Sequence, residues 1–163
     1  MTDPTFDLKG TNLYLIGMMG AGKSTAGQLL AQRLGYQFFD TDAVITQAAG
    51  CSISQIFAES GEAVFRNLET QVLSQLAAHK RLVVATGGGI VLERMNWSHL
   101  RHGLIVWLNP TLETLWQRLQ ADTTRPLLQD SNPRQTLEQL LMQRQPLYQQ
   151  ADLCIEITPE HDA

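Results

Sequence analysis

Short apolar runs alternate with amphipathic segments along the chain. Glycine or polar residues bound each apolar run, which is typical of buried strands. The predicted strands span 12–17, 36–42, 81–89, 103–110 and 152–157. The amphipathic segments between them predict helices at 24–35, 42–50, 52–61, 62–80, 111–120 and 135–148. Because apolar strands separated by helices form sheets covered on both faces, the pattern predicts an α/β fold with a parallel sheet.

The longest predicted helix carries its apolar residues on one stripe, as a face packed on a core does. These residues are Phe65, Leu68, Val72 and Leu76. Gly35 should end the first helix, since glycine is common just after a helix C-terminus. Pro146 should disturb the last helix, because proline lacks a backbone donor. The Thr-, Pro-, Asp- and Asn-rich segment 121–134 predicts a mobile loop.

Length and composition predict one soluble domain. The chain has 163 residues, of which 44% are hydrophobic and 17% charged. No apolar run approaches the roughly 20 residues that span a bilayer, and residues 1–10 lack the apolar core of a signal peptide. The net charge of −4 argues against a nucleic-acid partner. Cys51 and Cys154 are expected to be reduced thiols. We therefore expect a cytoplasmic monomer that binds small molecules, and neither nucleic acid nor membrane.

A phosphate-binding motif follows the first predicted strand. Its spacing is Gly17-x-x-x-x-Gly22-Lys23-Ser24, and it opens the first helix, which is the context of a P-loop. Backbone N–H groups and the helix N-terminus bind phosphate, the lysine reaches the β- and γ-phosphates, and the hydroxyl binds Mg²⁺. The predicted nucleotide-binding residues here are Gly20, Ala21, Gly22, Lys23, Ser24 and Thr25. The alternative is a glycine-rich turn with an incidental lysine.

Two acids end the second predicted strand, in the segment FFDTD. Many P-loop proteins place a metal-positioning Asp after a later strand, but here the third strand ends in ATGGG and the fourth in Asn109. Asp40 could hold the water shell of the metal, and Asp42 could face an acceptor hydroxyl. The alternative is that these acids cap the next helix. The absence of an NKxD-type motif disfavours a GTPase.

Glycines and arginines predict a second binding site. The run Gly87–Gly89 lies at the carboxyl end of a strand, where ligands bind in open α/β sheets. Arg144 shares a helix stripe with apolar residues and should point inward, where a charge needs an anion. Arg66 lies beside another apolar stripe, although an internal pair with Glu69 would explain it equally well. Together these features favour a small substrate that carries a carboxylate. Arg125, in the polar loop, could close over the γ-phosphate.

These elements together resemble the shikimate kinase family. The matching segments are GMMGAGKST, FFDTD, SISQIFAESGEAVFRNLE, ATGGG, RPLL and RQPLYQQAD, in the order of the family. The resemblance implies a three-layer P-loop kinase fold with a five-stranded parallel sheet, a helical substrate-binding segment at about 41–70 and a lid at about 122–132. It also implies transfer of the γ-phosphoryl group of ATP to the 3-hydroxyl of shikimate, with Mg²⁺ as cofactor, in the pathway to aromatic amino acids.

The resemblance also assigns roles to single residues. The shikimate-binding positions of the family fall on Asp42, Arg66, Gly87, Gly88, Gly89 and Arg144. The catalytic positions fall on Lys23, Asp42 and Arg125. The supporting positions are Glu69, which would orient the substrate site, Arg118, which would stack on adenine, and Ser24 with Asp40, which would form the magnesium shell. The C-terminal adenine loop and closing helix of the family have no counterpart after Ile157, so the resemblance predicts weak ATP binding and poor rejection of GTP.

Two other functions compete with this one. A kinase of the gluconate-kinase type could use the same carboxylate-binding arginines, although the ATGGG segment favours shikimate. A catalytically silent relative could bind a ligand for regulation, but it should have lost Lys23, Asp42 or Arg125, and all three are present.

Overall fold

The computed structural model describes residues 7–159. The predictions about a signal peptide and about the C-terminal adenine loop fall largely on residues 1–6 and 160–163, which lie outside this range. Within them the strands are β1 (Leu13–Ile16), β2 (Gln37–Asp40), β3 (Leu82–Ala85), β4 (Leu104–Pro110) and β5 (Leu153–Ile157). They form one sheet in the order β2-β3-β1-β4-β5, and every neighbouring pair is parallel. The predicted five-stranded parallel sheet is confirmed.

Helices pack on this sheet. They are α1 (Lys23–Leu34), α2 (Thr41–Ala49), α3 (Ile53–Ser60), α4 (Glu62–Ala77), α5 (Arg94–Leu100), α6 (Leu112–Leu119) and α7 (Pro133–Tyr148). Short 3₁₀ turns span Ile90–Leu92 and Pro126–Leu128. All residues of β1 and β3 are buried, as their continuous apolar sequence predicts. Gly35 ends α1 in a left-handed conformation and donates to the carbonyls of Ala31 and Gln32, which confirms that prediction.

Two local features differ from the sequence-based expectation. Helix α5 was not predicted, because its seven residues carry no clear period, and its buried side chains hold it in place. Asn96 and Trp97 donate to the carbonyls of Ile90 and Val91 at 2.8 and 3.0 Å. Helix α7 continues through Pro146 to Tyr148, where we had expected a disturbance. Tyr148 is fully buried, so tertiary packing outweighs the loss of one backbone hydrogen bond so near the helix end.

The topology places three loops at one edge of the sheet. In a parallel sheet the carboxyl ends of all strands lie on the same side, and ligands bind where the strand order reverses. Strand β1 is central and pairs with β3 on one side and β4 on the other. The loop after β1 therefore lies between the segments that follow β3 and β4, and next to the acids that end β2.

Candidate functional site

The P-loop has the strand–turn–helix geometry that its motif predicts. Gly22 caps α1 with φ of 90°, a left-handed conformation that costs any other residue strain. The backbone N–H of Ala26 donates to its carbonyl at 3.0 Å, which begins the helical ladder. The alternative of an incidental glycine-rich turn does not account for the buried cation that this loop encloses.

That cation is Lys23, whose side chain folds back over its own loop. Its Nζ donates to the carbonyls of Gly17 and Met18, both at 2.7 Å. The residue is 8% exposed. Burial lowers the pKa of Lys23 to about 8, although the charge of Asp42 opposes the shift. The P-loop therefore holds a positive charge whose present partners are uncharged carbonyl oxygens.

A cleft of about 1110 Å³ opens beside the P-loop. Helix α6 contributes Arg118 to its wall, and Nη1 of this residue donates to the carbonyl of Gly20 at 2.8 Å. All the predicted nucleotide-binding residues line the cleft, namely Gly20, Ala21, Gly22, Lys23, Ser24, Thr25, Arg118 and Arg125. Their assembly is observed, and the nucleotide contacts themselves stay a prediction.

Asp40 connects the P-loop to strand β2. The Ser24 hydroxyl donates to Oδ2 of Asp40. The other oxygen, Oδ1, accepts from the backbone N–H groups of Asp42 and Ala43 at 2.9 and 3.3 Å, so Asp40 is the N-cap of α2. The capping alternative thus applies to Asp40 and not to Asp42. One carboxylate oxygen caps the helix, and the other faces the P-loop hydroxyl.

Asp42 lies in the first turn of α2 and faces both the cleft beside the P-loop and the predicted substrate site. Its Oδ1 is buried and has no hydrogen-bond partner among the described residues. Burial raises the pKa of Asp42, the charge of Asp40 adds to the rise, and the charge of Lys23 opposes it. A carboxylate with a raised pKa and a free oxygen has the properties of a proton acceptor.

A smaller cavity of about 60 Å³ adjoins the large cleft. All the residues predicted to bind or orient the substrate line it, namely Asp42, Arg66, Glu69, Gly87, Gly88, Gly89 and Arg144. Both cavities share Met19, Asp42, Gly87, Gly88 and Arg125 in their walls. The two cavities therefore meet at Asp42 and Arg125, between the P-loop cation and the buried arginines.

Helix α4 supplies a buried ion pair to the smaller cavity. Nη1 of Arg66 lies 2.9 Å from Oε1 of Glu69, and Nη2 lies 3.1 Å from Oε1 of Glu62. The internal pair that the spacing suggested is therefore formed. Oε2 of Glu69 is buried and has no hydrogen-bond partner in the described part of the chain, and burial raises the pKa of Glu69 against the charge of Arg66.

The three glycines after β3 leave room for these side chains. A Cβ atom on Gly87 would overlap Oε2 of Glu69, and one on Gly89 would overlap the Arg66 guanidinium. A Cβ on Gly88 would lie 3.2 Å from the backbone nitrogen of Met19 and 3.3 Å from Nη1 of Arg144. The close approach of these side chains is a further reason for glycine here, beside the ligand contact and the turn that the sequence suggested, and the ligand contact stays a prediction.

Arg144 points inward from α7, as its stripe predicted. It is 2% exposed, yet its Nε and Nη1 have no hydrogen-bond partner among the described residues. A buried guanidinium with unpaired N–H groups is unfavourable unless an anion pairs with it. Its position on the wall of the smaller cavity fits a bound carboxylate.

The 122–132 segment covers the point where the cavities meet. Nε of Arg125 lies 3.1 Å from Oδ2 of Asp122. The Ser54 hydroxyl on α3 donates to the carbonyl of Thr124 at 3.1 Å. Arg125 therefore reaches the site in this conformation, and the mobility of the segment stays a prediction.

An apolar wall of the smaller cavity was missed in the sequence. It consists of Ile53, Phe57, Phe65, Pro126 and Leu127. The rings of Phe57 and Phe65 lie 4.9 Å apart. The periodic pattern indicated that Phe65 is buried, but a residue on a cavity wall has the same pattern as one in the core.

No helix among residues 7–159 is long and apolar enough to cross a membrane. These residues also contain no group of three or more His, Cys, Asp or Glu side chains that could hold a metal ion.

Comparison with known proteins identifies the family. The model of the family described as Shikimate kinase matches residues 19–162. A shikimate kinase from Trichormus variabilis is 63% identical over 96% of this chain and 88% of its own length. Another from Nostoc sp. is 61% identical over the same shares of the two chains.

Solved structures agree with this result. A shikimate kinase from Acinetobacter baumannii in complex with shikimate superposes with a TM-score of 0.88 at 45% identity, over 90% of this chain and 83% of that one. A gluconokinase from Sinorhizobium meliloti superposes with a TM-score of 0.54 at 19% identity, over 91% and 82%. The second likeness shows a shared fold alone, so the gluconate alternative gains no support from it.

Proposed function

The chain belongs to the shikimate kinase family, whose activity is the ATP-dependent phosphorylation of the 3-hydroxyl of shikimate. We propose a role in this reaction for each part of the site. The large cleft binds ATP and the smaller cavity binds shikimate. The reacting groups meet at Asp42 and Arg125, which line both cavities. The products are shikimate 3-phosphate and ADP.

Lys23 and Arg125 stabilise the transferred phosphoryl group. Lys23 is buried beside the phosphate-binding loop, and its present partners, the carbonyls of Gly17 and Met18, are weaker partners than a phosphate anion. Nucleotide binding therefore draws Nζ toward the β- and γ-phosphates. Positively charged groups placed in advance around the γ-phosphate supply most of the catalysis in phosphoryl transfer. Arg118 contacts the adenine from the other side of the P-loop.

The residues around Asp40 fit a magnesium site. The Ser24 hydroxyl and Oδ2 of Asp40 are adjacent oxygen donors on the wall of the large cleft. Mg²⁺ prefers oxygen ligands and keeps several waters in kinase sites, so one hydroxyl and one water-linked carboxylate suffice. Bound there, the ion would neutralise phosphate charge.

The acceptor is held by its carboxylate. The observation that carries this proposal is Arg144, whose buried Nε and Nη1 have no partner among the described residues. Arg66 completes the clamp while Glu69 holds it in place at 2.9 Å. The glycine run leaves room for both side chains, which sets the acceptor close to the backbone.

Asp42 receives the proton of the reacting hydroxyl. The 3-hydroxyl oxygen forms a bond to the γ-phosphorus while the bond to the β–γ bridging oxygen breaks, and the proton passes to Oδ1 of Asp42. This oxygen is buried and has no hydrogen-bond partner among residues 7–159, and the raised pKa of Asp42 makes it a better base than an exposed aspartate. Arg125 shields the transfer from water when the 122–132 segment is closed.

A coupled assay of ADP release tests these proposals. Shikimate should support turnover, whereas gluconate and other hydroxy acids should give at most a few per cent of that rate. The variant Arg144→Met tests the carboxylate-binding arginine in the same assay. Its control is Arg134→Met on the same helix, because the Arg134 side chain is 49% exposed. Equal turnover with gluconate would contradict the proposed acceptor site.

We extend the proposal to assembly and compartment. The protein acts as a monomer in the cytoplasm. The free thiols of Cys51, which is half-buried, and Cys154, which is exposed, support the compartment, because free thiols persist where the environment is reducing. Light scattering at assay concentration should give the monomer mass, and a dimer mass would contradict the first part.

A further inference from the structure

Tyr148, the last residue of α7, lies behind the acceptor site without lining it. It is fully buried, and its hydroxyl donates to the carbonyl of Gly88 at 2.5 Å. The same hydroxyl lies 3.6 Å from Sδ of Met18 in the P-loop. Its ring stacks on Trp107 of β4, with 5.8 Å between the ring centroids. The stacking alone would anchor the end of α7, so the hydroxyl calls for a separate explanation.

The hydroxyl fixes one peptide of the glycine run. Because the C=O and N–H groups of a trans peptide point in opposite directions, holding the carbonyl of Gly88 also fixes the direction of the Gly89 N–H. Gly89 lines the acceptor cavity. Glycine peptides rotate easily, so this orientation needs an outside partner. On the other side, Gly87 N–H is held by the Thr41 hydroxyl at 3.0 Å.

The same hydroxyl lies next to the buried arginine. Arg144 precedes Tyr148 by one helical turn, so the two side chains share a face of α7. Both are buried, and Nη1 of Arg144 would lie 3.3 Å from a Cβ on Gly88. Tyr148 therefore binds one of the groups proposed to hold the carboxylate, the glycine peptide, and lies one helical turn after the other, Arg144.

Burial keeps this hydroxyl a donor. It raises the pKa of Tyr148 to about 12, although the charge of Arg144 opposes the shift. The proton is therefore present at every pH at which the protein would be assayed.

We propose that Tyr148 is a positioning residue for the acceptor: its hydroxyl orients the Gly88–Gly89 peptide and, with the ring, the Arg144 side chain toward the substrate carboxylate. The inference rests on the proposed function. It assigns no contact between Tyr148 and either substrate. The loss of the hydroxyl should therefore weaken the binding of shikimate and leave both nucleotide binding and the chemical step unchanged.

Tyr148→Phe removes the hydroxyl and keeps the ring on Trp107. The KM for shikimate should rise about three- to tenfold, the effect of one buried hydrogen bond, while kcat at saturating shikimate and the Kd of ADP change by less than about twofold. Tyr14→Phe is the matched control, because Tyr14 is equally buried and its hydroxyl bonds Asn12 at 3.4 Å, at the opposite end of β1. It should leave all three constants unchanged.

A second acceptor separates positioning from a general loss of packing. With an analogue in which a hydroxymethyl group replaces the carboxylate of shikimate, the KM values of wild type and Tyr148→Phe should agree within about twofold. An unchanged KM for shikimate in the folded variant would overturn the inference. So would equal losses of affinity for shikimate and ADP, which would indicate an effect through Met18. The proposed function would instead fail in the wild type, by absence of shikimate phosphorylation.

The wild-type protein supplies a test that does not depend on the folding of a variant. In protein labelled with ¹⁵N-glycine, saturating shikimate should shift the amide resonance of Gly89 and leave that of Gly35, at the far end of α1, unchanged. A Gly89 resonance that does not respond would overturn the proposal, because Tyr148 then has no path to the carboxylate through that peptide.

Discussion

The two halves of the site differ in how their polar groups are paired. On the nucleotide side, Lys23 donates to two carbonyls, Arg118 donates to a third, and the Ser24 hydroxyl donates to Asp40. On the acceptor side, several buried atoms with no hydrogen-bond partner within residues 7–159 belong to side chains that line one small cavity. They are Oδ1 of Asp42, Oε2 of Glu69, and Nε and Nη1 of Arg144.

This difference indicates two ways of recognising an anion. A phosphate must displace the weak internal partners of the nucleotide side, and it gains backbone donors that the P-loop already presents. A carboxylate on the acceptor side finds the N–H groups of Arg144 desolvated in advance, so it need not displace a competing partner from them. The folded protein loses stability by keeping such groups unpaired. The acceptor side should therefore show the stronger conflict between stability and binding.

Arg144→Met should give the largest loss of substrate binding. Removing one partner of a buried charge pair costs about 2–5 kcal/mol of binding, so the affinity for shikimate should fall at least about thirtyfold. The affinity for ADP should change little. Because methionine fills similar space without an unpaired charge, the free energy of unfolding of the ligand-free protein should be unchanged or higher.

Titration calorimetry and urea unfolding measure both quantities, and Arg134→Met is the control on the same helix. A large drop in stability together with equal losses for shikimate and ADP would mean that Arg144 is structural, and the contrast between the two halves would disappear.

Lys23→Met should act on turnover. Loss of a positioned charge from the transferring group costs about 10²–10³-fold in kcat. The Kd of shikimate should stay within about threefold, because Lys23 contacts the other half of the site. Lys80→Met on the surface is the matched control. Steady-state kinetics with both substrates varied measure these effects. A near-normal kcat would show that Lys23 has no catalytic role.

The sequence predicted the nucleotide half better, for a physical reason. The P-loop is a local motif, so adjacent residues from Gly17 to Ser24 define both its backbone and its chemistry. The order of the apolar runs likewise predicted the sheet, whereas the short helix α5 has too few residues to show a period. Its buried side chains Asn96 and Trp97 hold it to the turn just before it through two hydrogen bonds.

The acceptor half joins residues far apart in the chain. Helical spacing indicated that Arg144 points inward, but its lack of a partner appears only when α7 packs beside the glycine run. The space that Gly87 and Gly89 leave for Glu69 and Arg66 is also a tertiary feature. The hydrogen bond from Tyr148 to Gly88 joins residues 60 positions apart, and no sequence pattern predicts it.

The activity should fall at both acidic and basic pH, and one titrating group from each half of the site should cause each fall. Below neutral pH the rate should fall as Asp42 takes up a proton, and its raised pKa places this limb above that of an ordinary aspartate. On the basic side kcat/KM for ATP should fall above about pH 8, where Lys23 of the free enzyme loses its proton. Asp42→Asn should remove activity at every pH, whereas Lys23→Arg should extend the basic limb upward.

The same lysine gives a stability signature. Its pKa is about 8 in the folded protein and roughly 10.4 in an unfolded chain, so the unfolded state binds more protons between these values. The contribution of Lys23 to the free energy of unfolding should therefore increase with pH across this window. Urea unfolding of wild type and Lys23→Met at pH 8 and 10 measures the difference, and equal slopes for the two proteins would contradict the lowered pKa.

The smallest effect concerns the 122–132 segment, which covers both halves. The segment is held by Leu128, which is buried in the core, and by bonds from the Thr136 hydroxyl to Asp130 and from the Ser54 hydroxyl to the Thr124 carbonyl. The pair of Arg125 with Asp122 lies within the segment and is partly exposed, so it adds little. Ser54→Ala removes one neutral hydrogen bond of about 1 kcal/mol, so it should raise the rate of limited proteolysis within 122–132 about two- to fivefold in the ligand-free protein. Ser98→Ala, an exposed serine on α5, is the control. ADP with shikimate should suppress cleavage in both variants, because Arg125 then gains the phosphates as partners. A cleavage rate that is the same with and without the ligands would show that the segment does not respond to either half of the site.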